Sequence, residues 1–121
     1  MSSKKVLIVD DSTVTRLMIK KIIAEAKPDL EFIEFDTADK ASTYLKSAES
    51  LDFVTLDQNM PGSLSGLDIA ADIRKQFPNL KILLITANIQ DAIRKQAENI
   101  GITFIEKPVS PEKILPFLGG L

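Results

Sequence analysis

The chain has 121 residues, enough for one packed core and too few for two, and its formal net charge of −2 excludes the strongly basic face that grips a phosphate backbone. With no cysteine and no histidine, a disulfide framework, a thiolate zinc site and imidazole catalysis are all excluded, so any chemistry falls to carboxylates, Lys, Thr or amides. The N-terminal MSSKK is too short for a signal peptide and no apolar run approaches a membrane span, which predicts a cytoplasmic protein with neither nucleic acid nor membrane as partner.

The first apolar run, VLIV at residues 6–9, reads as a strand. Residues 12–26 follow as a helix with Val14, Leu17, Met18 and Ile22 on its apolar face and Arg16, Lys20, Lys21 and Glu25 on the others, stopped by Pro28 and Asp29. The run EFIEFD at residues 31–36 alternates, which predicts an edge strand over 31–35. A helix over 38–48, strand 53–56, helix 66–77, strand 81–86, helix 89–100, strand 102–106 and helix 111–118 complete five strand–helix pairs. Pro116, five residues after Pro111 and followed by Gly119 and Gly120, predicts that the last helix stops short, because an interior proline costs about 3 kcal/mol. VLIV and ILLI are apolar at every position, so these strands are covered on both faces, as in a parallel sheet with right-handed helical crossovers. The fold class is therefore α/β, with one domain over residues 1–121.

In an open parallel sheet, ligands bind beyond the carboxyl ends of the strands. Strand one is followed by Asp10 and Asp11, strand three by Asp57 and then Asn59, strand four ends on Thr86, and strand five is followed by Lys107 and Pro108. Carboxylates about 5 Å apart repel by about 3 kcal/mol per pair at an effective dielectric near 20, so a cation belongs among them. Lys107 supplies one charge, and Mg²⁺, which takes a few oxygen ligands and keeps several waters, suits the remainder better than Ca²⁺. Asp57 is then placed to react or to bind metal. Each residue alone also has a plainer role: Asp11 or Ser12 as a helix cap, Asp57 as a turn former before Pro61, Thr86 with Asn88 as a strand end and helix cap, Phe104 as core and Lys107 as a solvated surface lysine. Their joint order after strands one, three, four and five is what favours a site.

The segments IVDDS, LDQNMPG, LLITAN and FIEKP together resemble a response-regulator receiver domain of the two-component phosphorelays, nearest in form to the single-domain chemotaxis regulators. The resemblance covers the whole chain and implies a flavodoxin-like, doubly wound (βα)5 sheet in the order 2-1-3-4-5. It implies that Asp57 accepts a phosphoryl group and that Asp10, Asp11, Asp57 and the backbone carbonyl of Asn59 hold Mg²⁺. Thr86 would bind a phosphoryl oxygen, Lys107 would pair with the phosphoryl group, and the Lys107–Pro108 peptide would be cis. Thr86, Phe104 and Pro108 would belong to the switch. Phe104 lacks the hydroxyl of the tyrosine common at its position, so exposing it would cost about 1.5–3 kcal/mol and an inward ring is expected at rest.

The implied partners are a histidine kinase or phosphotransfer protein, a target protein on the face of helix 4, strand 5 and helix 5, where Gln90, Asp91, Arg94, Lys95 and Glu98 line helix 4, and a phosphatase. The protein is expected to act as a monomer and to catalyse its own phosphorylation and dephosphorylation and nothing else. GSLS between Pro61 and Gly66 is one residue longer than the family's usual spacing. Two other classes stay open: a phosphate-independent binding module, and a haloacid-dehalogenase-like Mg²⁺ phosphatase. The latter places its nucleophile after the first strand with a second Asp two residues on, whereas Asp10 and Asp11 are adjacent.

Overall fold

The computed structural model describes residues 4–121; residues 1–3, which begin the MSSKK segment, lie outside it. Among the described residues lie five strands, β1 (Lys5–Val9), β2 (Glu31–Phe35), β3 (Phe53–Leu56), β4 (Ile82–Thr86) and β5 (Thr103–Glu106). They alternate with α1 (Thr13–Ala26), α2 (Ala38–Leu45), α3 (Gly66–Gln76), α4 (Asp91–Ile100) and α5 (Pro111–Ile114), the last running on as a 3₁₀ turn over Leu115–Phe117. The strands are parallel in the order β2-β1-β3-β4-β5, which puts the alternating EFIEF strand at an edge, as expected.

Each inner strand sends successive side chains to opposite faces, and both faces are dry. Leu7, Val9, Val54, Leu56, Ile82 and Leu84 pack under α2, α3 and α4 in one cluster, and Val6, Ile8, Phe53, Leu83 and Ile85 pack under α1 and α5 in the other. This double covering is why VLIV and ILLI carry no polar position.

The structure corrects the apolar face expected for α1. Ile19 and Ile23 are its buried residues, whereas Val14, Leu17 and Met18 are exposed at 67%, 55% and 41%. The upper turns of α1 stand beside the polar end of the sheet, where Ser12, Thr15 and Arg16 face inward, so apolar burial begins only a turn lower.

Three helices are shorter than the periodicity predicts. α2 ends at Leu45 because Lys46, Ser47 and Ala48 donate three residues back, to Thr43, Tyr44 and Leu45, and Gln76 Nε2 takes the Leu45 and Ala48 carbonyls at 3.0 and 3.1 Å. α4 starts at Asp91, since the Asn88 side chain accepts from Gln90 N at 3.3 Å and leaves Ile89 half exposed in the loop. α5 keeps four helical residues before the Leu-Pro-Phe 3₁₀ turn, because Pro116 has no N–H to continue the ladder.

The α1 correction is testable by urea denaturation: Ile19→Ala is expected to cost about 2–5 kcal/mol, and Leu17→Ala about 0.5 kcal/mol or less. Equal losses would return Leu17 to the core.

Candidate functional site

β1 and β3 are neighbours in register, Val9 opposite Leu56, so the residues that follow them emerge side by side. Asp57 N donates to the Val9 carbonyl at 2.9 Å and Asp10 N to the Phe35 carbonyl at 3.1 Å, which continues the ladder one step past the strands and fixes both backbones. The Asp10 and Asp57 residues are 1% and 5% exposed, and Asp11 beside them is open to solvent. One carboxylate oxygen from each of the three lies within 4.8 Å of the others.

Lys107, one residue past β5, reaches across β4 to this group. Its Nζ is 3.0 Å from Asp10 Oδ2 and donates to Asp57 Oδ2 at 3.2 Å, while its backbone N–H donates to the Thr86 carbonyl at 3.0 Å. The Lys107–Pro108 peptide is cis, as the resemblance implied. Burial above all pushes the Asp10 carboxyl above the usual range; the Ser12 N–H and the Lys107 ammonium pull it down, and the Asp57 charge pushes it up. Burial pulls the Lys107 ammonium down, but its bonds to Asp10 and Asp57 and their charges outweigh this and hold it above the ordinary lysine value. Asp10 Oδ2, buried and near Lys107, makes no hydrogen bond of good geometry. A buried oxygen in that condition, within a cluster of hard oxygen donors carrying more negative than positive charge, fits a divalent cation such as Mg²⁺.

Thr86 is buried at the end of β4, and its Oγ1 accepts from Asn88 N at 3.1 Å. Asn88 Nδ2 in turn donates to Asn59 Oδ1 at 2.8 Å and ties the loop after β3 to the loop after β4. Thr86 and Phe104 share the parity of Leu84, so both face the α2–α4 side of the sheet. Phe104 is partly buried against that cluster, and the Arg94 guanidinium sits 4.5 Å from its ring centroid. The bare ring of the sequence expectation has a cationic cover supplied by α4.

Sequence reasoning missed four supports. Arg16 donates to the Asp10 carbonyl and to Thr13 Oγ1 and pairs with Glu34, holding the Asp10–Asp11 turn. Gln58 Oε1 accepts from Leu67 N at 2.8 Å, and Ser65 with Asp68 forms a capping box, so α3 starts hard against the site. The Ser65-to-Asp68 spacing was the available signal. Gly66 is the third support, since a Cβ there would lie 2.1 Å from the Asp57 carbonyl oxygen. The fourth is Asp39, which reaches from α2 to Ser63 and Leu64.

The family description for a response regulator receiver domain matches residues 6–118. The chain belongs to that family. This receiver domain is 34% identical to the chemotaxis protein CheY of Thermotoga maritima, across 95% of this chain and 94% of that protein. It superposes with a TM-score of 0.79 and 28% identity on the CheX-CheY-BeF3-Mg complex from Borrelia burgdorferi, over 95% of this chain and 86% of that one. A response regulator from Burkholderia pseudomallei, described with a phosphorylated aspartic acid, a calcium ion and citrate, matches at 0.81 and 26%, over 98% of this chain and 68% of that one. Among the described residues no helix is long and apolar enough to cross a membrane.

Two expectations follow from this geometry. A carboxyl whose native pKa exceeds its unfolded value binds its proton more tightly when folded, so stability falls as pH rises from about 3.9 through the raised value. Metal-free Asp10→Asn is therefore expected to gain stability relative to wild type across that window, read from urea midpoints between about pH 4 and pH 8; parallel curves would contradict it. Gly66→Ala is expected to destabilise the domain by about 1–3 kcal/mol or more, because the added methyl meets backbone rather than a yielding side chain.

Proposed function

We propose that this receiver domain is a phosphorylation-dependent signalling switch whose acceptor is the Asp57 carboxylate. The observation that carries it is the convergence of Asp57 with Asp10, Asp11 and Lys107 at the ends of three strands. An Asp57 carboxylate oxygen attacks the phosphorus of a phosphohistidine or small acyl phosphate. The bond from phosphorus to the donor's nitrogen or oxygen breaks, and its electron pair leaves with the imidazole or carboxylate.

Asp10, Asp11, Asp57 and the backbone carbonyl of Asn59 would hold Mg²⁺, which when bound neutralises charge on the transferring group. Lys107, already 3.2 Å from Asp57 Oδ2, turns its ammonium to the phosphoryl oxygens. Thr86 Oγ1 accepts from Asn88 N, which leaves its own proton to donate to a phosphoryl oxygen. In hydrolysis a water oxygen attacks phosphorus, the Asp57 carboxylate leaves with the bonding electrons, and inorganic phosphate departs. The domain thus catalyses only its own loading and unloading.

The phosphodonor is a histidine kinase or phosphotransfer protein, and the apolar surface it meets is Val14, Leu17 and Met18, exposed on α1 just past Asp11. The target binds the α4–β5–α5 face of a monomer, through Phe104 and the residues around it.

Intact-mass spectrometry after incubation with acetyl phosphate tests the acceptor. One phosphoryl group is expected with Mg²⁺, and none without Mg²⁺ or in Asp57→Asn; an adduct that survives in Asp57→Asn moves the acceptor elsewhere. Leu17→Asp is expected to slow transfer from a phosphodonor protein by about tenfold, equivalent to about 1.4 kcal/mol, while loading from acetyl phosphate stays unchanged. Equal slowing from both donors would remove α1 from the donor interface.

A further inference from the structure

The loop from Asp57 to the start of α3 is rich in small residues, PGSLS over 61–65, and carries Asn59 near its beginning. One end is anchored by Asp57 N on the Val9 carbonyl, and Asn88 holds the Asn59 side chain. Its far half is gripped from a helix 24 residues earlier in the chain. Asp39, in the first turn of α2, accepts from Ser63 N at 3.1 Å and Ser63 Oγ at 2.7 Å through Oδ2, and from Leu64 N at 3.0 Å through Oδ1. Both carboxylate oxygens serve this one loop. Gly62, at φ +108, lets the chain pass close beneath them, and a Cβ there would lie 2.9 Å from Asp39 Oδ1.

Such a grip does more than cap a turn. Ser63 and Leu64 present consecutive backbone N–H groups to one carboxylate, which fixes the path of the chain between Pro61 and α3, beginning four residues beyond Asn59. A small, nearly octahedral cation tolerates little error in its ligands, so a backbone carbonyl on a loop of Gly and Ser needs an external anchor.

We infer that Asp39 is a positioning residue for the metal centre, holding residues 62–64 so that the Asn59 carbonyl is presented to Mg²⁺. The inference rests on the proposal that Asn59 helps to hold that ion. Groups that hold metal ligands in place cost about 10–100-fold in affinity when removed, and Asp39 acts several residues from Asn59, so a loss near tenfold is expected.

Calorimetric titration of the full chain with MgCl₂ tests it, on wild type, Asp39→Ala, Ser63→Ala and Asp57→Asn, alongside loading by acetyl phosphate at saturating Mg²⁺. Asp39→Ala is expected to weaken Mg²⁺ binding about tenfold and Ser63→Ala by less, with the loading rate at saturating Mg²⁺ within about twofold of wild type. That split separates ligand positioning from a general loss of structure. Should Asp39→Ala fail to fold, by circular dichroism, Ser63→Ala carries the same comparison. An unchanged Mg²⁺ affinity in both variants, with Asp57→Asn weakened, would overturn the role of Asp39 and leave the metal proposal standing. Absence of Mg²⁺ binding to wild type would overturn both.

Discussion

Asp10 and Asp57 are buried side by side at the ends of adjacent strands, with Asp11 next to them, and a single ammonium, Lys107, touches both buried carboxylates. Three carboxylates against one cation leave negative charge in excess where water screens poorly, and burial raises the proton affinity of Asp10 accordingly. An array of this kind by itself costs the fold stability. On the proposed function its use lies in that cost, because a divalent cation or a rearranged lysine would relieve it, and the relief would differ between a carboxylate and a doubly charged phosphoryl group.

The rest of the sheet end exists to hold these charges in place. Register between β1 and β3 aligns Asp10 with Asp57, and strand order alone brings Lys107, fifty residues later, to both. Arg16 grips the Asp10 carbonyl, Gln58 and the Ser65–Asp68 box seat α3, and Gly66 allows that helix to begin against the Asp57 backbone. Each of these supports acts on backbone groups and takes none of the oxygens of Asp10, Asp11 or Asp57.

Thr86 and Phe104 share the α2–α4 face of the sheet, and Arg94 covers the Phe104 ring. A tyrosine at this position could find a hydrogen bond in either ring orientation; the phenylalanine instead has a cation–π partner worth about 0.5–1 kcal/mol at an exposed site. Movement of this ring is therefore tied to α4, the helix that carries Arg94. The short α5 and its 3₁₀ turn leave Leu115 exposed and set Pro116 and Phe117 beside β5, so the surface here differs in shape from one backed by a long final helix.

Fold class, strand count, the edge position of β2 and the early end of α5 were legible in the sequence, because they depend on local chemistry: continuous apolar runs for strands buried on two faces, alternation at the edge, and a proline without an N–H. Asp10, Asp11, Asp57, Thr86 and Lys107 were legible as a candidate set, since each stands at or just past a strand's carboxyl end, and the family resemblance supplied the roles proposed for them. What tertiary structure decided is which of two plausible surfaces a residue faces. Val14, Leu17 and Met18 have the hydrophobicity of core and yet lie outside, because the top of α1 abuts a polar site that its own periodicity does not reveal. Arg94, Arg16 and Asp39 look like solvated charges in sequence, and their partners lie 10, 6 and 24 residues away. Contacts of that kind depend on how helices pack on the sheet, which composition and period leave undetermined.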